Sequence, residues 1–279
     1  MSMNDELPIK STFKAYDIRG VVGSELTTPI VKKIGQAIGT MALSQNQKTI
    51  CVGYDGRLSS PTLSSTLIDG LLSTGIDVIN IGLCTTPMLY FSTFHQATGT
   101  GVMVTGSHNP PEYNGFKIVV NEKTLFSDDI QTLYKAILNS NYLKGKGKER
   151  SLSIKSDYLD EISNSIKLKR PMRVAIDCGN GAGGVCAEEL FKKLGVETEP
   201  LFCDVDGNFP NHHPDPSNPK NLLDLDNSIE KNIHLLADAK NKKPSELNAC
   251  VMKRSRHDHI VKSLEQMNVK INYITDGDI

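Results

Sequence analysis

The chain has 279 residues, with hydrophobic residues at 38% and charged residues at 23%, a mixture that supports about two folded domains at roughly 100–200 residues each and excludes collagen-like, coiled-coil and low-complexity classes. Its 31 basic and 32 acidic side chains leave a formal net charge of −1, and with no long basic run neither a nucleic-acid surface nor an anionic membrane surface is expected. No apolar stretch approaches the roughly 18 residues of a membrane span, and Met1 to Lys10 lacks a basic start followed by an apolar core, so the cytoplasm is the expected compartment.

Thr27-Thr28-Pro29 predicts a helix start, with a capping hydroxyl and a proline in the first turn, and Ile30, Ile34, Ile38 and Met41 then share one face. Thr49 to Gly53 follows as a buried strand. Pro61 opens a second helix with Leu63, Leu67 and Leu71 at four-residue spacing, closed by Gly75, and Asp77 to Ile81 gives the next strand. A helix from Thr86-Pro87 to about Gln96, a strand Gly101 to Thr105, a polar loop, a strand Gly115 to Val120 and a helix from Ser127 to about Leu138 complete this half. The alternation predicts an α/β fold with a mixed, largely parallel sheet, whose ligands lie beyond the carboxyl ends of the strands.

Residues 141–152 are rich in Lys, Gly and Ser and predict an exposed connection between domains. The pattern restarts with a helix Ser156 to Ile166, a strand Met172 to Ile176, a glycine-rich turn, a helix Gly184 to Leu194 and a strand Glu197 to Cys203. A Pro/Asn/His stretch through Lys220 leads to a helix near Ile229 to Lys240, a strand Ala249 to Met252, a helix His257 to Met267 and a strand Lys270 to Ile274. This second layered unit is expected to be incomplete or hybrid, because the chain ends just after a strand. The six cysteines, Cys51, Cys84, Cys178, Cys186, Cys203 and Cys250, contain no C-x-x-C pair and mostly occupy apolar runs, which predicts buried reduced thiols.

The stretch from Gly101 to Lys117 carries the most chemistry. An apolar strand delivers Ser107 to a loop, Gly106 lets the backbone approach a ligand, and Pro110-Pro111 stiffens the exit. A serine so presented is either a nucleophile or phosphate carrier, or a capping residue in a stiff turn. His108 could orient phosphate oxygens, Asn109 could donate hydrogen bonds, and Lys117 is a cation able to move a proton. Arg19 is either a second cation or a structural arginine tied to Asp17. Asp55-Gly56-Arg57 reads as a strand-to-helix turn rather than a ligand contact, and His212-His213 as part of an ordered loop rather than a metal site.

Phe13 to Gly20 (FKAYDIRG), Val52 to Pro61, the serine loop through Lys117, Asp177 to Gly181 and Asp204 to Pro216 together resemble the α-D-phosphohexomutase family, in its bacterial phosphomannomutase/phosphoglucomutase branch. The likeness runs from about residue 10 to 225. It implies that Ser107 carries a phosphoryl group to a hexose phosphate through a bound hexose bisphosphate, with a Mg²⁺ ion on the serine phosphate. It also implies catalytic roles for Ser107, His108 and Lys117, and substrate contacts from Tyr16, Arg19 and Asn109. The family's Asp-Gly-Asp-Gly-Asp-Arg metal loop does not occur in these 279 residues, so a weak or inactive enzyme is expected.

From about Asp226 onward the sequence is instead similar to an internal piece of class II fructose-1,6-bisphosphatases, through Ile229 to His234, Val251 to His257 and Tyr273 to Ile279. That likeness implies substrate contacts from Arg254, Ser255, Arg256, Asp276, Gly277 and Asp278. A surface basic turn and a terminal acidic turn are the alternative. The expected organisation is residues 1–140 as a first phosphohexomutase domain, 141–152 as linker, 153–225 as a partial second domain and 226–279 as a bisphosphatase-like piece, two gene fragments joined near 225. A non-catalytic phosphosugar-binding protein is a competing reading. So is a nicotinamide-dinucleotide site, because Gly179, Gly181 and Gly184 fit G-x-G-x-x-G and Asp204 follows at a suitable distance.

Overall fold

The Thr27 hydroxyl accepts a hydrogen bond from Ile30 N at 3.5 Å, and Pro29 sits in the first turn, where no backbone donor is needed. Helix α1 (Thr28–Ser44) therefore starts where the sequence predicts, and Ile30, Ile34 and Ile38 are fully buried on its inner face. In the computed structural model, which describes residues 6–252 and 257–274, the first unit runs β1 (Ile18–Val21), α1, β2 (Thr49–Tyr54), α2 (Ser60–Leu72), β3 (Asp77–Leu83), α3 (Thr86–His95), β4 (Gly101–Val104), β5 (Tyr113–Val120), β6 (Lys123–Thr124), α4 (Asp128–Leu138) and β7 (Glu149–Ser151).

These strands form one sheet in the order β1-β5-β4-β2-β3-β7, with β6 paired to β5. The β4, β2, β3 and β7 pairings are parallel, whereas β5 is antiparallel to both β4 and β1. Strands β1, β6 and β7 were not expected from the sequence. They are short and carry little apolar periodicity, and β7 has none, being held by hydrogen bonds to β3 instead. Residues of the 141–152 segment thus join the sheet: Gly145 N bonds Ser73 O at 2.9 Å, Gly147 N bonds Leu72 O at 2.9 Å, and Glu149 to Ser151 pair with Val78 to Asn80.

One apolar core fills the space between this sheet and α1, α2 and α4, from Ile34, Leu67, Leu71, Val102, Phe116 and Leu133 among others. Each fully buried Leu or Ile contributes about 1.5–3 kcal/mol. A second core on the other sheet face takes Cys51, Ile79 and Met103 from the strands, Met88 and Leu89 from α3, and Ile154, Leu159 and Cys186 from the second unit. The two units therefore share a packed layer.

The second unit comprises α5 (Lys155–Ser165), β8 (Arg173–Asp177), α6 (Ala187–Lys193), β9 (Glu197–Leu201), α7 (Leu223–Ala239), β10 (Asn248–Met252), α8 (Asp258–Gln266) and β11 (Lys270–Ile274). Helix α7 begins at Leu223 rather than near Ile229. Strands β8 and β9 pair in parallel, as do β10 and β11, yet among the described residues the two pairs remain separate sheets. A third core, including Ala237, Leu247, Val251, Leu264 and Val269, joins α7, α8 and the β10–β11 pair. Lys231 Nζ on α7 contacts Glu199 on β9 at 2.8 Å. All six cysteines are free; Cys51, Cys84 and Cys186 are buried as expected, whereas Cys178 and Cys203 are half-buried and Cys250 is exposed. Among the described residues no helix is long and apolar enough to cross a membrane.

Helices α1 and α2 approach closely because Gly35 and Gly70 face each other. A Cβ on Gly70 would fall 2.2 Å from Lys32 O, and one on Gly35 would fall 2.4 Å from Leu67 O, so backbone rather than a yielding side chain blocks the way. Gly70→Ala is expected to cost about 1–3 kcal/mol through overpacking, read as a lower urea midpoint at an unchanged slope. An unshifted midpoint would show that the helices have room to part.

Candidate functional site

At the carboxyl end of β2 the chain places Asp55, a buried carboxylate whose oxygens are fully occupied. Oδ1 accepts from Arg57 N at 3.1 Å and Ser60 Oγ at 2.5 Å, while Oδ2 accepts from Thr105 Oγ1 at 2.7 Å and Gly106 N at 3.2 Å. Asp55 therefore ties the start of α2 to the end of β4. Arg57, 2% exposed, lies beside it with Nε 3.4 Å from Asp55 Oδ2. Its Nη1 donates to Pro110 O at 2.6 Å and Tyr113 O at 3.1 Å, and its Nη2 to Ser107 O at 2.8 Å and Asn109 O at 2.6 Å. One planar, permanently charged fork thus holds four carbonyls of a single loop. Burial pulls the guanidinium below its ordinary value and Asp55 opposes that shift.

The sequence reading takes this segment as a strand-to-helix turn and leaves Arg57 out of the catalytic residues; the structure adds that its side chain holds the serine loop from behind. Its one signal was a charged residue one step past a strand-end turn, which is compatible with any exposed turn. Gly106 is required by the same arrangement, since a Cβ there would sit 2.4 Å from the Arg57 guanidinium carbon.

Ser107 lies exposed on the loop with φ +55°, a left-handed conformation that disfavours side chains other than glycine. Its backbone is fixed by Ser107 N donating to Thr105 Oγ1 at 2.9 Å and by the Arg57 bond to its carbonyl. The hydroxyl points out, 3.4 Å from His108 Nδ1. Asn109 turns inward, its Nδ2 donating to Gly106 O at 2.9 Å.

Strand register places the other predicted residues. Met103 opposes Lys117 and Gly115 opposes Arg19, so with side chains alternating along each strand Met103, Lys117 and Arg19 share one sheet face, with only Gly115 between the two cations. Phe116 and Ile18 point into the core on the opposite face. Lys117 is half-buried, and its ammonium makes no hydrogen bond or ion pair among the described residues. Arg19 pairs through Nη2 with Asp17, and its buried Nε–H finds no acceptor among the described residues. Tyr16 stands 76% exposed just before β1.

The second unit reaches this site through the loop after β9. Phe209 places its ring over the Arg57 guanidinium, 5.4 Å from centroid to carbon. Ser217 holds the Asp215 carboxyl below its usual range through its hydroxyl and N–H, and the neighbouring His108 and His213 favour the same charged form. His212 bonds Asp177 Oδ2 at 3.0 Å and His213 O at 3.0 Å. Burial disfavours its charged form, but those two bonds prevail and raise the His212 pKa. The glycine-rich turn is filled by the chain itself: the His212 ring lies where a Gly179 Cβ would meet it at 3.0 Å, and Asn180 Nδ2 donates to Asp204 O at 2.9 Å.

A Mg²⁺ ion needs an octahedron of oxygens. Among the described residues no three His, Cys, Asp or Glu side chains converge on such a cage; Asp55 is saturated and Asp215 is bound to Ser217. Arg254, Ser255, Arg256, Asp276, Gly277 and Asp278 lie outside the described residues.

Sequence comparison matches residues 10–144 to phosphoglucomutase/phosphomannomutase alpha/beta/alpha domain I and residues 156–239 to domain II. A solved phosphoglucomutase/phosphomannomutase family protein from Burkholderia thailandensis superposes with a TM-score of 0.76 at 32% identity, over 97% of this chain and 67% of that one. The chain belongs to the phosphoglucomutase/phosphomannomutase family. A phosphoglucomutase of Neisseria meningitidis serogroup B is 49% identical over 219 residues, 77% of this chain and 47% of that protein. A phosphomannomutase/phosphoglucomutase of Pseudomonas aeruginosa is 48% identical over 215 residues, 77% of this chain and 46% of that protein. The chain thus spans about half the length of these curated family members. Residues 215–279 also match bacterial fructose-1,6-bisphosphatase, glpX-encoded, overlapping the end of the domain II match. All of Tyr16, Arg19, Arg57, Ser107, His108, Asn109 and Lys117 fall within the family's domain I match.

Arg57→Met leaves four carbonyls and Asp55 without their partner, and is expected to lower stability by about 3–5 kcal/mol and to speed amide exchange across residues 107–113. Unchanged exchange there would mean that the loop holds itself. His212, with a raised folded pKa, stabilises fully below its ordinary value of 6.5 and loses that contribution as pH rises through the higher folded value. The stability gap between wild type and His212→Gln should therefore narrow in urea titrations as pH rises above 6.5, the ordinary value. A constant gap would assign the difference to packing alone.

Proposed function

We propose that this chain transfers phosphoryl groups through Ser107 in the interconversion of hexose 1-phosphate and hexose 6-phosphate, with glucose or mannose as the sugar. The observation that carries this reading is an exposed serine hydroxyl on a loop whose backbone is locked from behind by Arg57. Family membership and relatives named phosphoglucomutase and phosphomannomutase/phosphoglucomutase support it.

Phosphoryl transfer asks a protein for positioning and charge neutralisation rather than elaborate covalent chemistry. Ser107 Oγ is the attacking or leaving oxygen, and its fixed backbone limits the search for an in-line geometry. His108 Nδ1, beside that oxygen, donates to a phosphate oxygen or steadies the hydroxyl. The Arg19 guanidinium and the Lys117 ammonium lie on the same side of the sheet and neutralise a sugar phosphate, with Lys117 giving or taking the sugar hydroxyl proton. Tyr16 offers an exposed ring edge to the sugar, and the second amide hydrogen of Asn109 is a further donor. Hexose phosphate and hexose bisphosphate are thus the partners, and the cytoplasm is the proposed compartment. Mg²⁺ on the serine phosphate belongs to the family reading. No step is routed through it, and because the family's Asp-Gly-Asp-Gly-Asp-Arg loop does not occur in these 279 residues, turnover is proposed to be weak.

The proposed organisation keeps residues 1–140 and 153–225 as the two mutase-like parts, 141–152 as their connection and 226–279 as the bisphosphatase-like piece. Incubation with glucose 1,6-bisphosphate is expected to place phosphate on Ser107, detected by peptide mass spectrometry, with slow formation of glucose 6-phosphate from glucose 1-phosphate. Ser107→Ala should abolish both. Phosphate on another residue, or turnover that survives Ser107→Ala, would overturn the proposal.

A further inference from the structure

Strands β8 and β9 run side by side and deliver Cys178 and Cys203 just past their carboxyl ends. Cys178 N bonds Leu201 O at 3.0 Å and Asn180 N bonds Phe202 O at 2.8 Å, so the two segments are pinned together beyond the regular pairing. Gly184 packs on Cys203, whose carbonyl oxygen would lie 1.8 Å from any added Cβ, fixing the other side. The outcome is a pair of free, half-buried thiols with sulfurs 3.2 Å apart, Cys203 donating to Cys178. Nothing in the proposed phosphoryl transfer uses them.

We infer that Cys178 and Cys203 form an oxidative modification site, at which a hydroperoxide joins the two sulfurs in a reversible intramolecular disulfide. A disulfide spans about 2.05 Å, so the sulfurs must close by about 1 Å, a side-chain adjustment on backbones already held together. The Cys203 sulfur attacks the peroxide, the O–O bond breaks, and a sulfenic acid forms with loss of water or alcohol. Cys178 then attacks that sulfur, the S–S bond forms, the S–O bond breaks, and hydroxide leaves with the Cys178 proton as water. The two thiols lose two electrons and the hydroperoxide gains them. Burial, reinforced by the adjoining thiol, pushes Cys178 up to about 12, so the reaction is slow beside that of activated cysteines. Among the described residues no other thiol has a cysteine sulfur as its contact: Cys51 contacts Thr98, Cys84 contacts Met103, Cys186 contacts Gly183 O, and Cys250 is exposed on a separate strand.

The test uses the full chain carrying Cys250→Ser, which removes the exposed thiol. After hydrogen peroxide treatment, maleimide blocking in denaturant and trypsin digestion without reductant, peptide 174–192 should appear linked to peptide 194–220. Two of the five remaining thiols should escape maleimide, and dithiothreitol should restore both. Because peptide 174–192 also contains Cys186, Cys186→Ser should leave the link intact and Cys203→Ser should remove it. Maleimide on both Cys178 and Cys203 after peroxide, irreversible oxidation of either, or a link that vanishes with Cys186→Ser would overturn the inference.

Discussion

The serine loop depends on a buried ion pair used as a scaffold. Asp55 gathers the start of α2 and the end of β4, and Arg57, neutralised beside it, spends its guanidinium on four carbonyls of residues 107–113. A lysine ammonium, a point charge on a flexible stem, cannot reproduce that planar fork. With the carbonyls drawn inward, the Ser107 side chain is turned outward and its left-handed backbone is held in place. The guanidinium is itself covered by Phe209 from the second unit, so the loop's rigidity rests on contacts from both units.

Much of the first unit was legible because its elements carry strong periodicity and punctuation. Ile30, Ile34 and Ile38 after a Thr-Pro start, and Leu63, Leu67 and Leu71 after Pro61, specify helices with little ambiguity. Ser107 stood out because glycine and proline flank it at the end of an apolar strand. Arg57 did not, since its partners lie some fifty residues away and its local pattern is that of an ordinary turn. Strand β7 was equally hidden: Glu149, Arg150 and Ser151 have no apolar signature, and only the exposed backbone of β3 makes them a strand. The side-by-side placement of Arg19 and Lys117 follows from antiparallel register, which sequence spacing does not reveal.

The second unit shows what happens when apolar segments are present but their pairing partners differ. Strands β8 and β9 make one parallel pair and β10 and β11 another, each backed by helices, and the core around Leu247, Val251 and Leu264 is local to the later segment. Residues 215–239 belong at once to the mutase domain II match and to the bisphosphatase match. Helix α7 is the physical hinge of that overlap, packing toward β8 and β9 at one side and α8 at the other.

Strand β7 closes the side of the main sheet that β3 would otherwise leave open, and it does so with a tract in which Lys144, Lys146 and Lys148 alternate with glycine before Glu149 and Arg150. An open parallel edge invites another chain to add its own strand, and charged residues, lysine above all, discourage that templating. The connection between the units thereby sets a strongly charged strand at the sheet's margin, where it disfavours pairing with a foreign strand.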